Sequence, residues 1–266
     1  MGFGRWGLML SVAAALCGSL SAACAEVPAN AESRPEWCPA ARPEDVSATE
    51  QFRKLKIKIQ RGETIKLVAI GSSSTEGSDL ADKRLAYPTH LEQRLNTILG
   101  AKTVKVVNKG RGGENILDAV ARFERDVMVE EPDLVIWQLG TNDIVRNIDV
   151  TMLKSSVDMG LSLLAQGQVP VVMMDSQTAP RVLVSPQREP IDRMIREAAS
   201  RHGAVLWSRF ELMRSIIAKG DAGQPELIKS DGLHMTVPMH VCTGAVLGET
   251  IAAQLRARQM TADTRR

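Results

Sequence analysis

The central part of the chain alternates short apolar runs with longer amphipathic stretches, and this alternation limits the possible folds more than any other feature. The runs have the length and composition of buried strands, whereas the stretches between them repeat apolar residues at helical spacing. Alternating strands and helices form a parallel sheet covered on both faces. The predicted strands are Ile65–Ile70, Val104–Val107, Leu134–Leu139, Val169–Met174 and Ala204–Leu206, and the predicted helices are Tyr87–Leu99, Asn115–Val129, Thr151–Ala165, Pro190–Arg201 and Met239–Arg256.

Polar, glycine-rich segments follow the first three predicted strands. Because the carboxyl ends of parallel strands meet at one edge of a sheet, where ligands bind, these segments are expected to lie close together. A fourth segment, near the end of the chain, places an acid and a base on one tight loop. The four segments are Gly71-Ser72-Ser73-Ser74-Thr75, Asn108-Lys109-Gly110-Arg111-Gly112-Gly113, Gly140-Thr141-Asn142-Asp143 and Asp231-Gly232-Leu233-His234.

The residue types in these segments suit acyl transfer. A hydrogen bond from His234 to Asp231 would fix the imidazole tautomer and leave the second ring nitrogen free to take a proton from the Ser73 hydroxyl. The tetrahedral oxyanion of acyl transfer needs fixed donors, which the backbone N–H of Gly113 and the side-chain amide of Asn142 could supply. Each segment alone is weak evidence, since serine-rich turns are common. The hypothesis therefore rests on the four segments in combination.

In this order, the four segments resemble the sequence blocks of the SGNH hydrolases, the GDSL esterase/lipase superfamily, which is named for one Ser, Gly, Asn and His. The resemblance extends from about Lys66 to about Thr250. It implies a three-layer α/β/α fold with a parallel sheet in flavodoxin-like strand order. It also implies ester hydrolysis through an acyl-enzyme, with no metal and no organic cofactor.

The resemblance implies a role for each matching residue. Ser73 would be the nucleophile, with Asp231 and His234 as the acid and base of a triad, and the Ser73 N–H would join Gly113 and Asn142 in the oxyanion hole. One position departs from the family, because Ser72 stands where the superfamily usually has Asp. This departure affects the environment of the nucleophile rather than the class of reaction.

Two of these segments also resemble motifs of other protein classes, but each lacks a glycine that the other motif requires. The turn Gly110-Arg111-Gly112-Gly113 lacks the third glycine of a dinucleotide-binding loop, because Asn115 stands there. Thr75 stands where the nucleophile elbow of an α/β-hydrolase has its second glycine. Asp143 is interpreted as a loop brace. Solvated or core positions are expected for three other histidines, and core positions for two tryptophans: His90, His202, His240, Trp137 and Trp207.

The substrate is predicted to be a small acyl ester or an acylated glycan or lipid. Without residues 1–25 the chain keeps Tyr87, three Phe and three Trp, which are few for a long sugar platform or a wide lipid groove. We therefore expect a short-acyl, possibly O-acetyl, esterase. A lysophospholipase or acyl-thioesterase for longer chains and a non-catalytic glycan- or lipid-binding module are the alternatives, and the oligomeric state is left open.

The first 25 residues are typical of a secretory signal peptide. Arg5 precedes an apolar run from Leu8 to Leu20, and Ala23-Cys24-Ala25 forms a small-x-small cleavage site. We expect secretion or export to the periplasm; acylation at Cys24 and an uncleaved anchor are the alternatives. A lead-in and helix are predicted over 26–60, a hydrolase domain over 61–258 and a loose tail over 259–266.

The charge and the cysteine content further limit the possible functions. Residues 26–266 hold 32 Lys and Arg against 31 Asp and Glu, a net charge of +1 that does not indicate nucleic-acid binding or a membrane surface. Two cysteines remain there, Cys38 and Cys242, without the close Cys or His companions of a zinc site. In an oxidising compartment we expect them to form a disulfide, with two buried thiols as the alternative.

Overall fold

A computed structural model describes residues 1–2, 33–41 and 52–256. Its sheet has five parallel strands in the order β2-β1-β3-β4-β5. This order confirms the expected α/β fold with a flavodoxin-like sheet, in which the strand order reverses between β1 and β3. The strands are β1 Ile65–Gly71, β2 Val104–Gly110, β3 Leu134–Gln138, β4 Val171–Met174 and β5 Val205–Trp207.

Helices cover the sheet, and short helices also follow strands at its carboxyl edge. The α-helices are α1 Arg53–Gln60, α2 Ser73–Glu76, α3 Tyr87–Leu99, α4 Ile116–Val120, α5 Thr141–Val145, α6 Val150–Gln166, α7 Pro180–Leu183, α8 Arg188–His202, α9 Arg209–Lys219, α10 Gln224–Leu227 and α11 Val237–Arg256. Shorter turns of other helical types are Lys83–Leu85, Phe123–Val127 and Met128–Glu130. In the part of the chain that the structure describes, no helix combines the length and the apolar character needed to cross a membrane.

The central strands are buried on both faces, which explains their continuous apolar sequence. All five residues of β3 are buried, and β1 is buried except at Lys66. Trp137 in β3 and Trp207 in β5 are 0% and 2% exposed, as expected for core residues. The edge strand β2 instead alternates buried and exposed residues over its first half. The core therefore lies on both faces of the sheet and is deepest around β1 and β3.

The structure departs from the predicted helices at Asn115–Val129 and at α9. The helix expected over Asn115–Val129 is interrupted after Val120, because tertiary contacts override the helical spacing of the apolar residues. At the interruption Phe123 packs edge-on against Trp137, with ring centroids 4.8 Å apart, and the buried Arg122 guanidinium binds Glu114. Helix α9 was not predicted. It begins at Arg209, a charged residue that is completely buried.

The segment 33–41 is attached to α11. A disulfide joins Cys38 to Cys242, with their Cα atoms 5.6 Å apart. The Glu249 carboxylate accepts a hydrogen bond from the Ala41 backbone N–H at 2.9 Å and forms a salt bridge with Arg34. Phe52, just before α1, is completely buried. These contacts make residues 33–41 and α1 part of the packed structure.

Several N-terminal predictions lie outside the described residues. The signal peptide falls almost entirely within residues 3–32, and part of the lead-in and helix predicted over 26–60 falls within 42–51. The described part of that helix begins at Arg53 and buries Leu55 against the core. The signal peptide, the domain bounds and the loose tail remain predictions.

Candidate active site

Ser73 lies where the chain leaves the sheet. It follows β1 as the first residue of α2, after Ser72 in an extended conformation. The backbone N–H of Glu76 donates to the Ser72 carbonyl oxygen at 2.9 Å and closes the turn. Ser72 and Ser74 are only 4% and 2% exposed, whereas Ser73 is half-buried. Of the three serines in this turn, Ser73 is the one accessible to a substrate.

Asp231 and His234 share one tight loop between α10 and α11. An isolated antiparallel bridge pairs Ile228 with Met235, and the Lys229 N–H donates to the His234 carbonyl oxygen at 2.8 Å. Inside the loop, Asp231 Oδ1 accepts the backbone N–H groups of Leu233 at 2.8 Å and of His234 at 2.9 Å. The Asp231 carboxylate is therefore fixed before it meets the histidine ring.

A continuous series of hydrogen bonds joins the three predicted triad residues. His234 Nε2 is 3.1 Å from Ser73 Oγ, and His234 Nδ1 is 2.5 Å from Asp231 Oδ2. Burial raises the pKa of Asp231, but the bonds from the His234 ring and from the two backbone N–H groups outweigh it and lower the pKa to about 2. The ionised carboxylate holds the proton on Nδ1, so Nε2 faces the serine as an acceptor.

Asn142 and Gly113 lie on facing segments. Asn142 is in the first turn of α5, directly after β3, and its Nδ2 donates to the Glu114 carbonyl oxygen at 2.7 Å. That bond uses one of the two amide hydrogens and leaves the other for a ligand. Gly113 has φ +80°, a conformation that favours glycine, and its carbonyl oxygen accepts from Arg146 Nη2 at 2.7 Å. These bonds tie the glycine-rich loop to α5.

The same glycine-rich loop packs directly on the turn that carries Ser73. A Cβ atom on Gly110 would lie 2.1 Å from the backbone nitrogen of Glu76, so only glycine fits there. Asn108 Nδ2 donates to the Thr75 carbonyl oxygen at 2.6 Å, and the Gly112 N–H donates to Glu76 Oε2 at 2.6 Å. The structure thus brings the Gly113 loop, α5 and the His234 loop around Ser73, at the carboxyl edge of the sheet.

Gln138 is a site residue that the sequence analysis missed. Its Oε1 accepts three hydrogen bonds from the Ser73 turn: from the Ser72 N–H at 2.8 Å, the Ser72 hydroxyl at 3.0 Å and the Thr75 hydroxyl at 3.2 Å. The Thr75 hydroxyl also lies 3.2 Å from the Tyr87 hydroxyl. A polar residue at the end of an otherwise apolar strand was the signal for this role.

Other polar residues considered in the sequence have structural contacts. Asp143 is 1% exposed, and its Oδ1 accepts the Ile116 N–H at 3.1 Å, in agreement with its interpretation as a brace. Burial raises the pKa of Asp143 to about 6. His240 Nδ1 accepts the Tyr87 N–H at 3.2 Å, and burial lowers the pKa of His240 to about 3. His202 lies 3.0 Å from the Asp158 carboxylate.

The flavodoxin-like sheet carries Ser73, Gly113, Asn142 and His234 on four loops at one edge. This arrangement is the one expected of the SGNH hydrolase superfamily, which the sequence resembles. The chain belongs to the Non-GDSL lipase-like family, whose sequence model matches residues 38–257.

Comparisons with known proteins agree with this placement. The chain is similar to an acetylxylan esterase of Geobacillus stearothermophilus, with 38% identity over 109 residues, which cover 37% of the chain and 48% of that protein. An arylesterase of Vibrio mimicus is 27% identical over 115 residues, 43% of the chain and 56% of that protein. The matches thus span about half the length of these relatives. A two-domain esterase active on acetylated mannans shares the fold, with a TM-score of 0.66 and 18% identity over 82% of the chain and 57% of that protein.

Proposed function

We propose that the chain is a carboxylic ester hydrolase that works through a serine acyl-enzyme. The observation that carries the proposal is the hydrogen-bond series from Ser73 Oγ to His234 Nε2, at 3.1 Å, and from His234 Nδ1 to Asp231 Oδ2, at 2.5 Å. An imidazole held in this tautomer takes the hydroxyl proton while the carboxylate stabilises the imidazolium that forms.

The first half of the reaction forms the acyl-enzyme. His234 Nε2 takes the proton of the Ser73 hydroxyl as Oγ bonds to the ester carbonyl carbon, and the carbonyl oxygen becomes an oxyanion. The Ser73 N–H, the Gly113 N–H and the free amide hydrogen of Asn142 bind that oxyanion. As the intermediate collapses, the bond to the alcohol oxygen breaks, and the imidazolium of His234 gives its proton to the leaving alkoxide.

The second half releases the acid. A water molecule gives a proton to His234 Nε2 and attacks the carbonyl carbon of the acyl-enzyme. The oxyanion donors act a second time, the bond from carbon to Ser73 Oγ breaks, and His234 returns its proton to the serine. The products are one alcohol and one carboxylic acid, and each residue recovers its starting protonation state.

We further propose that the enzyme prefers short acyl groups, such as acetyl. The identity to the acetylxylan esterase supports this preference. So does the burial of four aromatic side chains, since Trp137, Trp207, Tyr87 and Phe123 are all at most 2% exposed and cannot serve as a platform. A short acyl ester, such as an acetyl ester, is the substrate class that fits both observations.

A panel of p-nitrophenyl esters of graded chain length tests the activity and the preference together. We expect kcat/KM to be highest for acetyl or butyryl and to be abolished in Ser73→Ala. A kcat/KM that rises steadily with chain length would favour a lysophospholipase or thioesterase instead. Absence of both turnover and a burst of p-nitrophenol would favour a binding module.

We also propose that the protein is exported, to the periplasm or beyond the cell. The signal-like residues 1–25 and the disulfide between Cys38 and Cys242 support export, because disulfides persist in oxidising compartments. The intact mass of the protein from the extracytoplasmic fraction of an expressing bacterium tests this. Cleavage after Ala25 is the expected result; a lipid-modified Cys24 would indicate anchoring, and an intact Met1 in the cytoplasm would contradict export.

A further inference from the structure

Arg209 is a buried cation that the reaction itself does not use. It is the first residue of α9 and is completely buried. Its Nη2 donates to Gln177 Oε1 at 2.6 Å and to the Asp175 carbonyl oxygen at 3.1 Å. Within residues 33–41 and 52–256, the guanidinium forms no salt bridge with a carboxylate. Burial lowers the pKa of Arg209 to about 10 although the Asp175 carboxylate acts in the opposite direction, so the buried guanidinium depends on its hydrogen bonds to neutral acceptors.

The guanidinium fixes the orientation of the Gln177 side chain. An arginine side chain has only donors, so the atom that it contacts must be the amide oxygen of Gln177. The Thr141 hydroxyl donates to the same oxygen at 2.8 Å. With Oε1 held by two donors, Nε2 has to point the other way, and it donates to the Leu233 carbonyl oxygen at 3.0 Å. Arg209 therefore determines which face of the amide meets Leu233.

The two partners of Gln177 belong to opposite sides of the active site. Thr141 directly precedes Asn142 in α5, and Leu233 lies between Asp231 and His234. One buried amide, 1% exposed, thus joins the helix that carries the amide donor to the loop that carries the acid and base. Arg209 also contacts both sides itself, since Nη2 is 3.3 Å from Thr141 Oγ1 and Nη1 is 4.0 Å from Met235 Sδ.

We propose that Arg209 and Gln177 are positioning residues for ester hydrolysis, which hold the loop of Asp231 and His234 at a fixed distance from Asn142. This inference rests on the proposed function. The reaction needs His234 at Ser73 and Asn142 at the oxyanion at the same time, and a displacement of about 1 Å can lower the rate about a hundredfold. Gln177 restricts that displacement by bonding both segments, and Arg209 keeps Gln177 in the bonding orientation.

Gln177→Glu separates positioning from simple structural support. The glutamate keeps two oxygens that can accept from Arg209 and Thr141, and it pairs the buried cation, so the fold should be retained. It has no N–H for the Leu233 carbonyl oxygen, which it repels instead. We expect kcat for p-nitrophenyl acetate to fall at least about tenfold, with KM changed less than about threefold.

Thr178→Val is the matched control. Thr178 is buried next to Gln177, but its hydroxyl donates to the Phe210 carbonyl oxygen at 2.8 Å rather than to either side of the active site. Loss of this buried bond should lower the melting temperature without changing kcat. Arg209→Lys, which keeps a charged donor, should retain more activity than Arg209→Met.

The rate at which a fluorophosphonate labels Ser73 provides a readout that does not depend on the choice of ester. We expect Gln177→Glu to be labelled at least about tenfold more slowly than the wild type and than Thr178→Val. Wild-type labelling and kcat in a folded Gln177→Glu would overturn the inference and leave the proposed function intact. A wild-type protein that is neither labelled nor active on any ester would instead overturn the proposed function.

Discussion

The side-chain oxygen of Gln138 lies 2.8 Å from the backbone nitrogen of Ser72 and 3.0 Å from its hydroxyl. Ser72 occupies the position where related enzymes of the superfamily usually carry Asp, and its hydroxyl cannot supply a carboxylate to the turn. The buried amide oxygen of Gln138 provides the acceptor from the neighbouring strand. Gln138 in β3 therefore fixes the turn that carries Ser73, in addition to the backbone bonds within the turn itself.

Replacement of Gln138 by leucine should loosen this turn. Gln138→Leu leaves the Ser72 N–H and hydroxyl buried without that acceptor, at a cost of about 1 to 3 kcal/mol for each orphaned group. We expect a lower free energy of unfolding in urea and a lower kcat. Ser72→Ala is the control, because it removes one donor and leaves none orphaned. A Gln138→Leu protein as stable and as active as Ser72→Ala would contradict this role.

Asn142→Ala tests the oxyanion donor. Because the amide binds a charge that exists only in the transition state, kcat should fall by the equivalent of roughly 2.7 to 4 kcal/mol, with little change in KM. Steady-state kinetics on p-nitrophenyl acetate measure both parameters. An effect confined to KM would assign Asn142 to substrate binding.

Asp143 should make stability depend on pH. Burial raises its pKa in the folded protein to about 6, above the ordinary value of 3.8, so the folded state retains a proton that the unfolded state releases between these values. Stability from this group is present below pH 3.8 and is lost as the pH rises through 6. Asn has the same shape and no charge, so Asp143→Asn should stabilise by about 1 to 2 kcal/mol at pH 8 and by little at pH 4. An equal effect at both pH values, in urea unfolding, would refute this assignment.

The disulfide between Cys38 and Cys242 closes a loop with a sequence separation of 204. Its removal in the Cys38→Ala/Cys242→Ala variant should lower the free energy of unfolding by about 2 to 5 kcal/mol. Thiol labelling of the denatured, unreduced protein should find neither cysteine free. Two labelled cysteines in that experiment would show that the bond does not form.

Much of this architecture could be predicted because its signals are local. The strand runs, the polar segments at their ends and the four blocks were all readable from short windows of sequence. The roles of Gln138, Gln177 and Arg209 were not, because each depends on partners that are distant in sequence. Gln138 bonds a residue 66 positions away, and Gln177 bonds one 56 positions away. Arg209 is charged and would be expected at the surface, and only the packing of the folded chain places it in the core.

The proposed reaction acylates Ser73 during turnover. Rapid acid quenching of the wild-type protein with p-nitrophenyl acetate, followed by peptide mapping in a mass spectrometer, locates the acyl group directly. Ser72→Ala is a matched control, since Ser72 is buried beside the nucleophile. We predict an acetyl group on Ser73 in the wild type and in Ser72→Ala, and none in Ser73→Ala. An acetyl group on another residue, or turnover that persists in Ser73→Ala, would rule out Ser73 as the nucleophile.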